Sequence, residues 1–307
     1  MKVVLLPGDG IGKEISKSVK RVSEALKCDI DFMEYEAGAD YYEKSGKLME
    51  EGLLEKVEEC GLLLKGPTAT PVGTGFRSIN VQLRQHFKTY ANVRPIVSLE
   101  GVASRYENVD LIVIRENSED LYTGEEYMKD ENTAIALKTI TAQASERIIR
   151  FAFEYALKNK RHKVTCVHKA NIMKLTDGMF LKIFKNISEE YKQIESDSVI
   201  IDALCMKLVT APEDFDVLVA PNLYGDIISD LCAGLIGGLG FAPSVNVGDQ
   251  VRIYEAVHGS APDIAGKNIA NPSALLMAFE MLLRDSGYEE KADLLDRSLK
   301  ELIKEGK

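Results

Sequence analysis

The sequence predicts an α/β protein, and three observations carry that reading. Short continuous apolar runs recur along the chain, helical-period patterns separate them, and no repeat, linker or low-complexity stretch divides them. Apolar runs without alternation suit strands covered on both faces, as in a sheet sandwiched by helices. At 307 residues the chain exceeds the usual size of a single core, so one large or two joined domains are expected. The missing boundary predicts domains interleaved along the chain.

The elements follow in order. "KVVLLP" reads as the first strand, and residues 11 to 27 as a helix with Ile15, Val19, Val22 and Leu26 on one face. "GLLLKGP", "VDLIVIRE", "KVTCVHK", "SVIIDAL" and "FDVLVAPN" are further strands. Residues 75 to 95 hold a helix whose core stripe is Ile79, Leu83 and Phe87, with Asn80 and Arg84 on a different face and Ser78 near its start. "TAIALKTIT", residues 133 to 141, alternates in places after a polar turn and reads as an exposed hairpin arm. "NLYGDIISD", residues 222 to 230, opens a short helix after Gly225 with Ile227, Ile228 and Leu231 in its buried stripe. Residues 254 to 272 form a Gly/Ala/Pro/Asn-rich loop, too long for a mere connection and suited to holding a ligand.

Composition excludes several classes. Net charge is −10 with no basic run, against a nucleic-acid partner. No stretch of about 18 apolar residues is present, so no membrane span is expected, and the apolar run of "MKVVLLPGDG" is too short for a signal peptide. Five scattered cysteines without a C-x-x-C pair predict reduced thiols and a cytoplasmic protein.

Some stretches point to chemistry. "PGDGIGKE", residues 7 to 14, has G-x-G but lacks the third glycine of a dinucleotide fingerprint, so a tight strand-to-helix turn is the better reading. Arg84, Arg94 and Arg115 fall near strand and helix ends, where guanidinium groups suit a small molecule with several carboxylates. Asp202 stands in the apolar run "IIDAL", where a buried acid would need a partner or a metal. Asp226 and Asp230 stand four apart, stacked on one helix face, and need a positive group or water between them. An isolated pair of this kind is better read as a first-turn acid plus a solvated one.

Taken together, "LLPGDGIGKE", "KGPTATPVGTGFRSINVQLRQ", "ANVRP", "IRENSEDLYTG", "VHKANIMK", "NLYGDIISD" and "EAVHGSAPDIAGKNIANP" span nearly the whole chain. In that order they resemble the β-decarboxylating dehydrogenases, the isocitrate/isopropylmalate dehydrogenase family. The resemblance implies a large α/β domain from residues 1–97 and 238–307. It implies a smaller dimer-forming α/β domain, 98–237, with a clasp arm near 120–146. It assigns Asp226 and Asp230, with Asp202 from the other protomer, to Mg²⁺ or Mn²⁺. Arg84, Arg94 and Arg115 become substrate clamps, and Tyr122 with the partner's Lys174 the acid/base pair, beside Asp202. The loop from His258 through Gly259, Ala261, Asp263 and Ile264 to Asn271 becomes the adenosine-binding loop, with Thr70 near the nicotinamide. Ser78 and Asn80 are hydrogen-bonding residues, as in the isocitrate enzymes, where an isopropyl substrate needs apolar ones. Asp263 and Ile264 stand where NADP-using members place a lysine and a tyrosine, which implies NAD. The expectation is a homodimeric NAD-dependent isocitrate dehydrogenase with shared sites. Homoisocitrate or 3-isopropylmalate dehydrogenase, or a non-catalytic regulatory chain of a heteromeric dehydrogenase, are the alternatives.

Overall fold

A computed structural model describes residues 1–69 and 78–306. From the N-terminus come β1 (Lys2–Leu6), α1 (Gly12–Ala25), β2 (Asp31–Glu34), α2 (Ala39–Ser45), α3 (Leu53–Cys60), β3 (Leu62–Lys65) and α4 (Ile79–His86). The chain continues with β4 (Ala91–Val97), β5 (Asp110–Glu116), β6 (Glu126–Asp130), β7 (Thr133–Ala136), α5 (Ala142–Lys158), β8 (Lys163–His168), α6 (Thr176–Ser188), β9 (Glu195–Ile200), α7 (Ile201–Thr210), β10 (Val217–Ala220) and α8 (Asn222–Leu235). It closes with β11 (Pro243–Val247), β12 (Arg252–Ala256), α9 (Ser273–Asp285) and α10 (Glu289–Lys304).

The chain divides into two compact units, and each is interrupted in sequence: residues 1–89, 99–105 and 237–307 form the first, and 90–98 with 106–236 the second. In the first, the strand order is β2-β1-β3-β12-β11, parallel except for the β11–β12 pair. β1 is apolar throughout after Lys2, and Val3 to Leu6 are fully buried, as expected of a strand covered on both faces. α1 buries Ile15 and Val19, spaced four apart, on its inner face. Its N-terminal turn is a hub. The Asp9 carboxylate accepts from the amides of Ala39 (3.1 Å), Asp40 (2.9 Å) and Ala69 (2.6 Å), fixing the start of α2 and the segment leading to residue 70. A side chain on Gly10, which has φ of +55°, would meet the Ser260 carbonyl oxygen 2.1 Å away, so only glycine fits. The motif is therefore a tight strand-to-helix turn, as its spacing predicts.

In the second unit the order is β4-β5-β10-β8-β9, parallel except for β4–β5, and β6 pairs with β7 in a separate antiparallel hairpin that includes the alternating run from residue 133. α5 starts at Thr141, whose hydroxyl accepts from Ala144 N, and packs Phe153 against Phe184 and Tyr191 at ring distances of 5.5 and 4.9 Å. Three local expectations are corrected. "SVIIDAL" is half strand: β9 ends at Ile200 and α7 begins at Ile201, so Asp202 sits in a first helical turn, its side chain 67% exposed rather than buried. α8 opens at Asn222, three residues before Gly225, and Ile227 faces outward while Ile228 is buried. The loop expected from residue 254 begins after β12, at 257, because Tyr254 and Ala256 are strand positions.

All five cysteines are unpaired. No helix among the described residues is long and apolar enough to cross a membrane.

Candidate active site

The second unit brings Arg94, Arg115, Tyr122, Asp226 and Asp230 into one cluster. Arg115 is the penultimate residue of β5, and α8 lies directly over it because position 225 is glycine. A Cβ there would stand 2.6 Å from both Cβ and Cγ of Arg115. The Arg115 side chain is 1% exposed, and a guanidinium buried this deeply needs its hydrogen bonds made. Its Nε donates to Asn222 Oδ1 (2.9 Å), Nη1 contacts Asp226 Oδ1, and its plane lies over the Tyr122 ring, 4.7 Å from the centroid. Arg94, from β4, is held the same way: Nε donates to Asn92 Oδ1 (2.8 Å) and Nη1 to Ser229 Oγ (2.5 Å).

Arg94 also answers the question that the two stacked aspartates raise. Its Nη1 is 3.0 Å from Asp230 Oδ1, and its Nη2 is 3.6 Å from Asp226 Oδ1, so a guanidinium bridges the carboxylates. Tyr122 sits on the 3-10 turn Asp120–Thr123 and donates to Asp226 Oδ2 at 2.5 Å. Burial, and then the hydrogen bond to Asp226, push the phenol's pKa up against the opposing pull of Arg115. Tyr122 therefore holds its proton through neutral pH.

The turn that aims Tyr122 is built by buried acids. Glu116 accepts from Ser118 N (2.7 Å) and Glu119 N (3.0 Å), Glu119 from Thr141 N (2.9 Å) and its hydroxyl (2.8 Å), and Asp120 from Leu223 N at the head of α8 (3.0 Å). Burial pushes the pKa of Glu116 and of Glu119 up. Sequence reasoning passed over these three, and over Asn92, Asn222, Ser229 and Gly225. The available signal was the density of acids in "RENSED" directly after a buried strand.

Asp226 and Asp230 fit a hard divalent cation in kind. Both offer carboxylate oxygens, and both remain reachable, at 36% and 57% side-chain exposure. Two carboxylates do not complete a coordination sphere. Among the described residues no group of three His, Cys, Asp or Glu could hold a metal ion within the chain. The remaining oxygens must come from water, a ligand or another chain.

Asp202 turns instead to Lys169, which holds its carboxyl below the usual range. Lys174 is exposed in the turn before α6, between Ile172 and Leu175, which are 68% and 87% exposed. Apolar side chains this open, flanking a lysine, are more typical of a contact surface than of a monomer's exterior.

The first unit carries the other expected positions. Ser78 is exposed just before α4, and Asn80 Oδ1 accepts from Thr68 Oγ1 (3.2 Å). Arg84 turns to Glu255, Nη2 to Oε1 at 3.2 Å, beside the Lys65–Glu255 pair at 3.0 Å. Burial would raise the Glu255 pKa, but Lys65, Arg84 and Asn246 together hold it well below the carboxylate range. The loop 257–272 is strapped to α1: the Glu14 carboxylate accepts from Gly266 N (2.5 Å) and Asn268 N (2.8 Å), and Ile11 N donates to Ser260 O (2.9 Å). Within it, Gly259 has open space where a Cβ would stand, Ala261 has φ of +38°, and Asp263 is exposed with Ile264 half-buried beside it. Asn271 Oδ1 accepts from Ser273 N (2.9 Å), a local turn bond just before α9. His258 bonds Gly259 O through Nδ1 (3.0 Å), while its Nε2 is buried with no partner among the described residues; burial lowers its pKa and leaves the ring neutral. An unanswered buried nitrogen beside open backbone fits a loop that receives a cofactor's polar groups. Thr70 lies outside the described residues.

The fold and this cluster define an α/β protein in which two buried arginines pair with two aspartates of a kind that suits a divalent cation. Comparison with known proteins gives the family. The isocitrate/isopropylmalate dehydrogenase model matches residues 2–307, and the chain belongs to that family and has its fold. A mitochondrial NAD isocitrate dehydrogenase catalytic chain from Arabidopsis thaliana is 50% identical, over 99% of this chain and 81% of its own length. A regulatory chain of the mitochondrial NAD enzyme from Dictyostelium discoideum is 49% identical, over 100% and 85%. A chloroplastic 3-isopropylmalate dehydrogenase from Solanum tuberosum is 48% identical, over 100% and 86%. The crystal structure of isocitrate dehydrogenase from Methylococcus capsulatus superposes with a TM-score of 0.96 at 46% identity, covering 99% of this chain and 91% of that one.

These relatives overturn the expectation of a cytoplasmic protein. The NAD isocitrate dehydrogenase chains it resembles are mitochondrial, and they point to mitochondria. Scattered cysteines do not choose among compartments.

Proposed function

We propose that the chain is a catalytic NAD-dependent isocitrate dehydrogenase that oxidatively decarboxylates isocitrate to 2-oxoglutarate and CO₂ with a divalent metal. The observation that carries this is the cluster itself: two arginines anchored at Nε on asparagines, their terminal nitrogens turned to paired aspartates, and a protonated phenol on the same carboxylate. Arg94 and Arg115 bind substrate carboxylates by exchanging aspartate for substrate as ion-pair partner. Asp226 and Asp230, so released, would hold Mg²⁺ or Mn²⁺ with Asp202 of a neighbouring chain. When bound, the ion supplies Lewis-acid polarisation of the substrate's oxygens, and NAD supplies the hydride acceptor. Lys174 of the neighbouring chain receives the hydroxyl proton, and Tyr122 Oη delivers a proton to the carbon that the carboxylate leaves.

Three relatives of nearly equal identity bear different names, so overall similarity does not choose the substrate; individual residues do. Ser78 and Asn80 are polar at the head of α4, which suits a free γ-carboxylate and not an isopropyl group. Tyr122, Lys174, Asp202, Asp226 and Asp230 are all present, which speaks against a non-catalytic role. Asp263 in the 257–272 loop accepts from a ribose 2′-OH and repels a 2′-phosphate, which favours NAD over NADP. The loop from His258 through Asn271, with Thr70, holds that cofactor. Arg84 gives Nη2 to Glu255 and would assist substrate binding through its other terminal nitrogen. The exposed residues beside Lys174 favour pairing with a second chain, as a homodimer or with a sister chain of different sequence.

Steady-state rates of the purified chain with isocitrate, homoisocitrate and 3-isopropylmalate, each with NAD and NADP, test this. Highest kcat/KM for isocitrate with NAD is expected. Preference for 3-isopropylmalate, or no turnover with any of the three, overturns it.

A further inference from the structure

A second site lies in the first unit, in a cavity of about 310 Å³ beneath α1 and beside the ends of β1 and β2. Its wall carries three lysines on one helix face, Lys13, Lys17 and Lys20, and three acids, Glu34, Glu36 and Asp40. The charges balance in number but not in pairing. Lys13 pairs with Asp40 and Lys20 with Glu34, each at 2.5 Å, but Glu36 is taken by Lys44 from outside the wall at 3.1 Å. Lys17 has no carboxylate within ion-pair distance among the described residues, so its ammonium is the wall cation left without a partner. Next to it, Ser16 is 2% exposed and its hydroxyl has no hydrogen-bond partner among the described residues. A buried hydroxyl without a partner costs free energy unless something in the cavity answers it. Tyr35 and Tyr41 add aromatic side chains to the lining, together with Pro7 and Gly8.

We propose that this cavity binds a small mono-anion with a flat apolar body, of which an aromatic carboxylate is the simplest. The carboxylate pairs with the Lys17 ammonium and accepts from Ser16 Oγ, and the ring lies against Tyr35 and Tyr41. The site is separate from the arginine–aspartate cluster, and its occupancy does not depend on the dehydrogenase reading. Because Pro7 and Gly8 adjoin Asp9, an occupant touches the turn that fixes α2 and the approach to residue 70.

The test titrates 2-naphthoate into the intact chain by calorimetry, with neutral 2-naphthamide as the uncharged counterpart. Lys17→Met should weaken naphthoate binding about tenfold, the scale of one charge-assisted hydrogen bond, and leave naphthamide unchanged. Ser16→Val should weaken both by placing methyl groups in the cavity. Lys17 is exposed, so its replacement leaves folding intact and decides the question even where the Ser16 variant is unstable. No saturable binding to the wild type overturns the proposal. So does naphthoate binding that Lys17→Met leaves untouched, since the anion then does not pair with Lys17.

Discussion

One methyl group on α8 should separate the packing of the site from the stability of the helix. Gly225→Ala places a Cβ 2.6 Å from the Arg115 Cβ and Cγ and 3.1 Å from its Cα, where about 3.4 Å is the near limit of ordinary contact. Arg115 cannot yield by swinging a free end, because the clash is at its base. Replacing glycine by alanine in a helix interior contributes up to about 1 kcal/mol. Overpacking a tight contact costs about 1–3 kcal/mol. With the full helix gain the net expectation is a loss of about 0–2 kcal/mol, read as a urea midpoint no higher than wild type with unchanged slope. Activity should fall further than stability, by at least about tenfold in kcat/KM, since a shift of about 1 Å in a substrate-positioning group costs up to about a hundredfold. Gly234, on the same helix, has nothing within 4 Å of its Cβ position. Gly234→Ala should therefore match or exceed wild-type stability and keep full activity. If both variants behave alike, or Gly225→Ala turns over normally, the close approach of α8 to Arg115 is not what sets the site.

Tyr122→Phe should cut kcat by about a hundredfold or more with the circular dichroism spectrum unchanged. Because the phenol's pKa is raised, wild-type kcat should show no loss assignable to this group below about pH 10; an alkaline limb near pH 8 that vanishes in the Phe variant would contradict the assignment. Glu255→Gln leaves Lys65 buried without its carboxylate and should lower stability at pH 7 by about 3–5 kcal/mol. The native Glu255 pKa is depressed, so its contribution is present above the unfolded value of about 4.3 and lost as pH falls through the lower native value. The gap in urea midpoint between wild type and variant should shrink on going from pH 6 to pH 3; a constant gap refutes the linkage. Asp263→Lys with Ile264→Tyr should lower NAD efficiency and raise NADP efficiency, and a wild type that already prefers NADP refutes the reading of that loop.

What the sequence made legible follows from how each element is stabilised. β1, β3, β5, β8 and β10 are continuous apolar runs, and such runs announce themselves. β2, "DFME", and β12, "RIYEA", carry acids and an arginine, so local pattern does not mark them. They are strands because β1 and β3 lie alongside with matching registers, a fact of tertiary pairing. The same limit explains Asp202. Two isoleucines before it extend the apolar run, but β9 stops at Ile200 and the chain turns into α7, which carries the acid outward.

The site divides along a similar line. Asp226, Asp230, Arg94 and Arg115 were visible as charges awaiting partners. Which charge meets which was not, because Arg94 and Asp230 stand 136 positions apart. A helix with two carboxylates four apart demands a cation without naming it, and the structure supplies an arginine. The consequence for chemistry is an exchange. Arginines that neutralise aspartates in this arrangement would give up part of that pairing to take a ligand's carboxylates. A cation joining the aspartates would make that release less costly, since it takes over the compensation that Arg94 and Arg115 provide. Anion and cation binding should then be coupled with positive sign: isocitrate should raise the apparent affinity for Mg²⁺, and Mg²⁺ the affinity for isocitrate, by the same factor. Arg94→Met keeps the length and removes the charge. It should tighten Mg²⁺ alone and erase most of that factor in calorimetric titrations. Independent binding of the two in the wild type would show that the arginine bridge does not stand between the aspartates and a metal.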